Sequence, residues 1–483
     1  MPRHRFTTNI ILIIFLAASL SSCSLYRAKK DIAFHEGLPD SYAEGTMSGP
    51  ITDRWWEDFN DGKLSELITR ALSDNLDLKR SWARLDQAHA IADQASSSWW
   101  PQITADAGAS KTRINVPKMS PAEGSTPQRT TNYDFGVGAS YEVDLWGRIA
   151  SLDRAADYDL KATRMDLESM AMSIAAQVTE VWVALIEQSS KRTLLQSQLK
   201  TNETYLDLVE LRFGRGLASS LDVYQQRQQL ASLRARMPLI ESQIRVLKHQ
   251  LNILLGKSPE SGIGPILSLL PELWPQPQTG IPAELLTRRP DVRAAKMRVS
   301  SADERVGAAI SDRFPALRLS AGTGYTAGSL SELFDNWIWN IAGSVSATVW
   351  DGHRKNREVK RTKSVLEEQV ALYEKTFLTA LKEVEDALIQ EEKQRIYVEK
   401  LGIQRELAQK TLTEARQRYI NGLGNYLPVL TALQTHQETE SSLLTAQKQL
   451  VSYRIQLCRA LGGTWTSGLE KNTDKRNATG EKE

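Results

Sequence analysis

The chain has 483 residues, of which 41% are hydrophobic, 7% aromatic and 24% charged. This content of apolar side chains is enough for a substantial core and excludes an intrinsically disordered protein. The 60 Lys and Arg residues nearly balance the 58 Asp and Glu residues. Because nucleic-acid binding needs clustered excess basic charge, this balance excludes nucleic acid as the main partner.

Residue types that carry catalysis or bind metals are scarce. The chain has two cysteines, Cys23 and Cys458, and six histidines, none of them paired at metal-ligand spacing. We therefore expect no disulfide-rich scaffold, no metal and no other cofactor. The sequence also lacks the nucleophile elbow, the zinc-protease pair and the phosphate-binding loops, so we do not expect an enzyme such as a lipid-anchored hydrolase. Cys458 lies on the apolar face of the last predicted helix and is interpreted as a buried small residue.

Residues 1–22 are predicted to be a signal peptide. A basic start precedes a short apolar core at 10–18, which is too short to span a bilayer. The core is followed by Leu20-Ser21-Ser22-Cys23, which resembles the bacterial lipoprotein box, where the cysteine receives fatty acyl chains such as palmitate. The alternative is an ordinary signal peptide with an incidental cysteine. Ser24 follows the cysteine, and by resemblance to lipoprotein sorting signals a serine there favours the outer membrane.

The chain contains an internal duplication. The segment that begins Arg212-Phe213 matches the segment that begins Arg418-Tyr419, at an offset of 206 residues (418 minus 212). A second pair of segments, around Pro101 and Pro315, aligns at an offset of 214 (315 minus 101). Chance similarity between two helices would not place glycines, prolines and strand ends in the same order.

Each repeat predicts a helix, a β-hairpin, a very long helix and a further helix. The opening helices are predicted over 64–98 and 283–312, and the long helices over about 150–212 and 355–418. The predicted segments are 23–63 (lipidated N-terminal segment), 64–256 (first repeat, hairpin about 101–145), 257–282 (proline-rich linker), 283–462 (second repeat, hairpin about 315–350) and 463–483 (polar C-terminal tail).

The long helices must pack along their whole length. About 62 residues at ~1.5 Å per residue give ~93 Å, which exceeds the diameter of a globular domain. In the second long helix an apolar stripe returns at Leu366, Phe377 and Leu388. This spacing of ~3.67 residues per turn favours nearly straight helices in a wide cylinder, and an ordinary two-helix coiled coil is the alternative.

The predicted strands alternate apolar and polar residues. Trp337, Trp339 and Ile341 fall on one face, whereas Asn340 and Ser344 fall on the other. Outer-membrane strands alternate in this way over ~9–11 residues, and tryptophans near strand ends are typical of an interfacial girdle. A soluble sheet with one wet face is the alternative. Four strands cannot close around a pore, so several copies must contribute to one barrel.

Further motifs occur in a fixed order along the chain. They are Trp55-Trp56-Glu57-Asp58-Phe59, Leu145-Trp146-Gly147-Arg148, Arg288-Arg289-Pro290-Asp291-Val292, Trp350-Asp351-Gly352, and Arg418-Tyr419 with Gly422 and Tyr426-Leu427. With the duplication, they resemble the TolC-like outer-membrane efflux channel family over nearly the whole mature chain. The lipoprotein leader is similar to that of the lipid-anchored branch, which works with resistance–nodulation–division pumps.

This resemblance implies a mainly α fold with a β-barrel part. It implies a homotrimer with a 12-stranded β-barrel and a 12-helix periplasmic α-barrel in the outer membrane of a Gram-negative bacterium, lipid-anchored and extending into the periplasm. The implied function is a passive exit duct for drugs or other small molecules, with a role in antibiotic resistance. The implied partners are an inner-membrane pump, a periplasmic adaptor protein and outer-membrane lipid. The alternative function is a periplasmic coiled-coil adaptor or scaffold lipoprotein of an export complex.

The resemblance also implies an aperture at the periplasmic hairpin tips. Its candidate residues are Arg215, Asp222, Arg418, Tyr419 and Tyr426. Pro428 and Thr431 stand where the family often has aspartates, so an acidic ring from the second hairpin is not expected. The alternative is that the charged candidates are ordinary solvated tip residues. Gly216 and Gly422 are predicted to serve turns that need positive φ.

Overall fold

The computed structural model describes residues 42, 53–117, 125–264, 266, 269–271, 273–277 and 282–471. The predicted signal peptide at 1–22 and the predicted lipidation site Cys23 lie outside the described residues. Most of the predicted N-terminal segment and residues 472–483 of the predicted tail also lie outside them.

The first repeat begins after a short 3-10 turn at Trp55–Phe59. Its helices and strands follow the predicted order. They are α1 (Gly62–Asp74), α2 (Leu76–Ser96), β1 (Gln102–Pro117), β2 (Ser125–Val143), α3 (Arg148–Gly214) and α4 (Ser220–Leu254).

The second repeat has the same order of elements. They are α5 (Leu285–Arg288), α6 (Pro290–Ser311), β3 (Ala316–Ala327), β4 (Trp337–Ser346), α7 (Arg354–Ile420) and α8 (Leu427–Leu461). The long helices α3 and α7 are both 67 residues long. They start 206 residues apart (354 minus 148), which is the offset found in the sequence.

The prediction of one continuous opening helix in each repeat is wrong. In the first repeat the helix breaks at Asn75, whose side-chain oxygen accepts hydrogen bonds from the N–H groups of Asp77 (2.9 Å) and Leu78 (3.1 Å) and restarts the helix as α2. In the second repeat the break falls at Arg289, because the ring of Pro290 disfavours a helical residue before it.

Both breaks are attached to the end of the last helix of their own repeat. The Asn75 amide donates to the carbonyl of Leu254 at 2.9 Å. The Arg289 guanidinium donates to the carbonyl of Ala460 at 3.2 Å and pairs with Glu383 at 2.8 Å. Because Leu254 and Ala460 are separated by the repeat offset of 206 residues (460 minus 254), the duplication is visible in the contacts as well as in the sequence.

Glycines allow these helix ends to approach. Gly256 has φ +67°, and a Cβ added there would lie 2.4 Å from the carbonyl oxygen of Asp74. Gly462 has φ +79°, and its Cβ would lie 2.9 Å from the carbonyl oxygen of Arg288. Both positions therefore require glycine for two reasons, the backbone conformation and the close approach of another chain segment.

The strands form one antiparallel sheet in the order β1-β2-β3-β4. Residues of like character face each other across it. Phe135 pairs with Tyr325 on the apolar face, and Glu142 pairs with Arg318 on the polar face. Within the described chain β1 and β4 are the edge strands, each with one neighbour.

The chain divides into two compact units that do not coincide with the two repeats. One contains Asp86–Ala162 and Lys296–Leu372, which include the sheet. The other contains Phe34–Leu85, Thr163–Ala295 and Tyr373–Glu483 and is mainly helical among its described residues. Each unit takes segments from both repeats, so the repeats do not fold as separate domains.

The core of the helical unit is built around α3. Trp182 is 1% exposed and donates a hydrogen bond from its ring to Asp61 at 2.7 Å. Among the described residues α3 contains an 18-residue stretch apolar enough to suit a membrane span, and 67% of that stretch is buried within the chain, as in a core helix. Cys458 is buried, which confirms its interpretation as a core residue, and burial raises the pKa of its thiol to about 12.

Candidate functional site: the sheet wall and the helix tips

The polar face of the sheet carries balanced charges near its helix-joined end. Glu142 accepts two hydrogen bonds from the Arg148 guanidinium, at 2.7 and 3.1 Å, and lies 3.6 Å from Arg318. Further along the sheet, Ser140 faces Ser320. A surface of small hydroxyls with compensated ions suits water-filled space, because it can be hydrated without leaving an isolated charge in the wall.

The opposite face of the sheet is apolar and exposed in the single chain. Ile341 is 77% exposed and Val345 is 72% exposed. Trp337 and Trp339 lie at the hairpin end of β4 on this face, and the Trp337 ring donates a hydrogen bond to Thr323 at 2.6 Å. An apolar band ending in tryptophans is the arrangement that a lipid bilayer and its interface require.

The α3–α4 and α7–α8 turns have the same geometry. Gly216 has φ +68° and Gly422 has φ +73°, as the turn prediction requires. In the first turn the N–H of Leu217 donates to the carbonyl of Arg212 at 2.8 Å, and in the second Leu423 donates to Arg418 at 2.8 Å. These bonds satisfy the last carbonyls of the long helices, so the glycines terminate helices rather than carry chemistry.

Asp222 lies in the first turn of α4, the helix that follows the first hairpin turn. The Ser219 N–H donates to the Asp222 carboxylate at 2.9 Å, and the Asp222 N–H donates to the Ser219 hydroxyl at 3.2 Å. This reciprocal pair is a capping box, and Asp222 itself is half-buried. A serine followed by an acid three residues later is the sequence signal for such a cap.

Tyr419 and Tyr426 are inside the chain rather than on an exposed surface. Tyr426 is 0% exposed, and its hydroxyl donates to the side-chain oxygen of Gln226 at 2.7 Å. Tyr419 is 3% exposed, with its ring centroid 5.3 Å from that of Tyr426. They belong to a buried cluster that joins the two helical hairpins, formed by Tyr205, Val209, Val223, Leu412, Tyr419, Tyr426, Val429, Leu430, Ala432 and Leu433. Burial raises the pKa of both tyrosines, so they stay protonated.

Arg212 is a tip residue that the sequence reasoning missed. Its guanidinium carbon lies 4.5 Å from the centroid of the Tyr419 ring, and one nitrogen donates to the carbonyl of Ile420 at 3.4 Å. A cation over a tyrosine face at this distance is attractive. The signal that could have identified Arg212 is its alignment with the candidate Arg418 at the repeat offset.

The other two charged candidates are on the surface. Arg215 and Arg418 are exposed, and neither has an ion-pair partner among the residues that the structure describes. The tips therefore bring together Arg212, Tyr419, Tyr426 and Gln226, whereas Arg215 and Arg418 do not join that group.

Comparison with known proteins gives a family. The chain matches the family described as outer membrane efflux protein over residues 67–257 and 281–463. It is 29% identical over 470 residues to the probable efflux pump outer membrane protein SepC of Pseudomonas putida, covering 94% of this chain and 96% of that protein. It is also 29% identical over 437 residues to the pyoverdine export outer membrane protein OpmQ of Pseudomonas aeruginosa, covering 88% and 90%.

Solved structures give the same result. The outer-membrane channel OprN superposes with a TM-score of 0.84 at 27% identity, covering 91% of this chain and 98% of that chain. The CmeC outer-membrane channel of Campylobacter jejuni has a TM-score of 0.82 at 21% identity, covering 94% and 98%, and supports the fold. The predicted resemblance and the mainly helical fold with a β-barrel part are confirmed. The chain belongs to the outer membrane efflux protein family, and it is an outer-membrane channel of an efflux system that extends into the periplasm.

Proposed function

We propose that the protein is a passive exit duct of a tripartite efflux system and has no enzymatic activity. The observation that supports this best is the sheet, whose register separates a mainly polar face from an apolar face where all four strands pair. Relatives are named for the efflux of toluene, pyoverdine and antibiotics, so small organic molecules are the proposed cargo. Deletion should raise cellular accumulation of a fluorescent dye, and wild-type accumulation in the deletion strain would contradict the proposal.

We propose that three copies complete the channel. Four strands with two edges cannot enclose a pore. Three copies would supply twelve strands for the β-barrel and twelve helices for the periplasmic α-barrel. The repeat offset adds a second line of support. It maps the contact between Arg212 and Tyr419 onto a pair formed by Arg418 and Phe213. Within one chain Arg418 is exposed and Phe213 is 50% exposed. Arg418 of one copy is therefore free to contact Phe213 of a neighbouring copy.

Cysteine cross-linking tests this arrangement. A variant with Phe213→Cys and Arg418→Cys should form disulfides between copies on mild oxidation and give a band of three subunits in denaturing gels. The matched control pairs Phe213→Cys with Arg405→Cys, an exposed position on the same helix as Arg418 that is not equivalent to Arg212. Equal cross-linking of both variants, or a ladder that stops at two subunits, would contradict the trimer with this contact.

The turn leucines are the proposed docking surface for a periplasmic adaptor that links the channel to an inner-membrane pump. Leu217 is 60% exposed and Leu423 is 68% exposed, each directly after a turn glycine. Exposed leucines at equivalent positions of both repeats fit a repeated apolar contact with a helical partner. Leu217→Glu with Leu423→Glu should abolish export but leave oligomer yield and conductance in planar bilayers unchanged. Retained export would exclude this surface.

A lipid anchor at Cys23 is proposed from the lipoprotein box in the sequence. Cys23→Ser should abolish labelling of the protein by a fatty-acid analogue such as an alkyne palmitate. The barrel has its own apolar face, so we expect the variant still to insert in the outer membrane. Labelling that persists in Cys23→Ser would refute lipidation at this residue.

The proposed aperture residues are Arg215, Asp222 and Arg418, supported by their places at or near the tips. Three copies of a like charge at ~8 Å cost about 0.5–2 kcal/mol per pair, for an effective dielectric of ~20 to ~80. Tyr419 and Tyr426 have a different proposed role. Because both are buried between the hairpins of one chain, they support the tips from inside rather than line an opening.

A further inference from the structure

The first β-hairpin projects well beyond the second. The last residue of β3, Ala327, pairs with Tyr133. The β1–β2 ladder continues past that level for eight more residue pairs, from Ser110↔Asn132 to Pro117↔Ser125. At ~3.4 Å per residue this is a two-stranded extension of ~27 Å. The opposite ends of β1 and β2 connect to helices that extend into the periplasm, so the extension lies on the external side.

A basic cluster lies on one face of this extension. It consists of Lys111, Arg113 and Arg129, and Arg113 is directly opposite Arg129 in the register. All three side chains are exposed. Like charges placed opposite each other on one face of an antiparallel pair are destabilising unless an anion lies between them.

The face that carries the cluster is the lipid-facing one. Side chains alternate along a strand, so Arg129 points to the same side as Tyr133 and Phe135 on the same strand. That side is the apolar face, which ends in Trp337 and Trp339 on β4. Along the strand, Lys111 lies ~7 Å and Arg113 ~14 Å beyond the level of Tyr133, counting two and four residues. The cluster therefore follows directly after the aromatic residues, where headgroups begin.

The cluster has no counter-ion within the described chain. The neighbouring hairpin has two acids, Glu332 and Asp335, and both are in the β3–β4 turn. Neither of them, nor any other carboxylate in the described ranges, forms an ion pair with Lys111, Arg113 or Arg129. The acids of the adjacent strand region, Asp106 and Asp134, alternate to the polar face.

We propose that Lys111, Arg113 and Arg129 bind phosphate groups in the headgroups of the glycolipid that forms the outer leaflet. Two facing guanidinium groups offer several N–H donors to one phosphate, and arginine matches phosphate geometry with paired hydrogen bonds. A phosphate between Arg113 and Arg129 also removes the repulsion that the register imposes. The outward direction of these side chains excludes a role in the duct itself. This proposal depends on the sheet lying in the outer membrane, and it does not depend on which molecules the channel exports.

Lipid binding to the intact, detergent-purified channel tests the proposal. Native mass spectrometry would measure binding of a bisphosphorylated lipid A and of the same lipid without its phosphates. The wild-type channel should bind the phosphorylated form roughly tenfold more tightly, about the effect of 1.4 kcal/mol. Arg113→Gln with Arg129→Gln should remove that preference, and Arg113→Lys with Arg129→Lys should keep part of it.

The control removes two exposed arginines elsewhere, with Arg405→Gln and Arg416→Gln in the helical unit. It should bind both lipids as the wild-type channel does. An unchanged preference in the Arg113 and Arg129 double variant would overturn the site. Displacement of the phosphorylated lipid by an equal concentration of inorganic phosphate would overturn the lipid source, because it would show a site for free phosphate.

Discussion

Asn75 and Arg289 mark the same helix break in the two repeats, and each donates a hydrogen bond to the end of the last helix of its own repeat, at the carbonyls of Leu254 and Ala460. The two side chains share neither charge nor length. The contact has therefore been kept while the residues that make it have diverged. This repeated joint holds the ends of the shorter helices in both halves of the helical unit.

The close approach of chain segments at this joint predicts a large loss of stability when a glycine there is replaced by alanine. Gly256→Ala should destabilise the channel by more than the ~1–2 kcal/mol of a left-handed backbone alone, because its Cβ would lie 2.4 Å from a carbonyl oxygen. Gly462→Ala should behave similarly. The controls Gly216→Ala and Gly422→Ala have positive φ with nothing within 4 Å, so they should cost only the backbone term. Thermal unfolding in detergent measures all four, and equal shifts would show that the close contacts relax.

The hydrogen bond of the Tyr426 hydroxyl predicts that replacing Tyr426 by phenylalanine costs more stability than the same change at Tyr419. Tyr426→Phe leaves the oxygen of Gln226 buried without a donor, so we expect a loss of about 1–3 kcal/mol at the tip. The Tyr419 hydroxyl is buried without a hydrogen-bond partner among the described residues. Tyr419→Phe therefore leaves no partner unsatisfied and should cost less stability than Tyr426→Phe. Hydrogen exchange of the peptides around 205–214 and 419–433 reports the local change. Similar hydrogen exchange in both variants would show that the hydrogen bond between Tyr426 and Gln226 does not stabilise the tip.

Asp222 can act through its charge or through its helix cap, and two substitutions separate them. Asp222→Asn keeps a side-chain oxygen for the Ser219 N–H but removes the charge, whereas Asp222→Ala removes both. If the charge helps set the aperture, single-channel cation preference should change equally in both variants. If only the cap matters, Asp222→Asn should conduct as wild type, and Asp222→Ala should loosen the start of α4 by about 0.5–2 kcal/mol.

The buried thiol of Cys458 predicts resistance to alkylation. Its pKa is raised to about 12 by burial, so at pH 8 almost none of it is thiolate, the reactive form. We expect no maleimide labelling of Cys458 in the folded channel at pH 8 and complete labelling after denaturation. Labelling of the native protein at a rate typical of an exposed cysteine would mean that the last helix opens readily.

The elements that could be predicted from the sequence are those with a periodic residue pattern or an internal repeat. Alternation along 337–346 identified β4, and the offset of 206 residues placed both long helices within two residues of their ends. The break at Arg289 was also readable, because Pro290 follows it. At Asn75 the cap on Asp77 and Leu78 is local, but the anchor at Leu254 is 179 residues away and could not be predicted from the sequence. The burial of the tip tyrosines could not be predicted either, because it depends on contacts between hairpins about 200 residues apart.

The ion pair between Arg289 and Glu383 has no charged counterpart at the equivalent positions of the first repeat. The equivalent positions in the first repeat are Asn75 and Gln177, at offsets of 214 (289 minus 75) and 206 (383 minus 177), and both are neutral. Both repeats also have an aspartate two residues after the break, Asp291 in the second. In the second repeat Arg289 pairs with both Asp291 and Glu383, whereas in the first repeat the neutral amide of Asn75 makes the equivalent joint. The charged joint of the second repeat therefore responds to ionic strength, whereas the neutral joint of the first repeat does not.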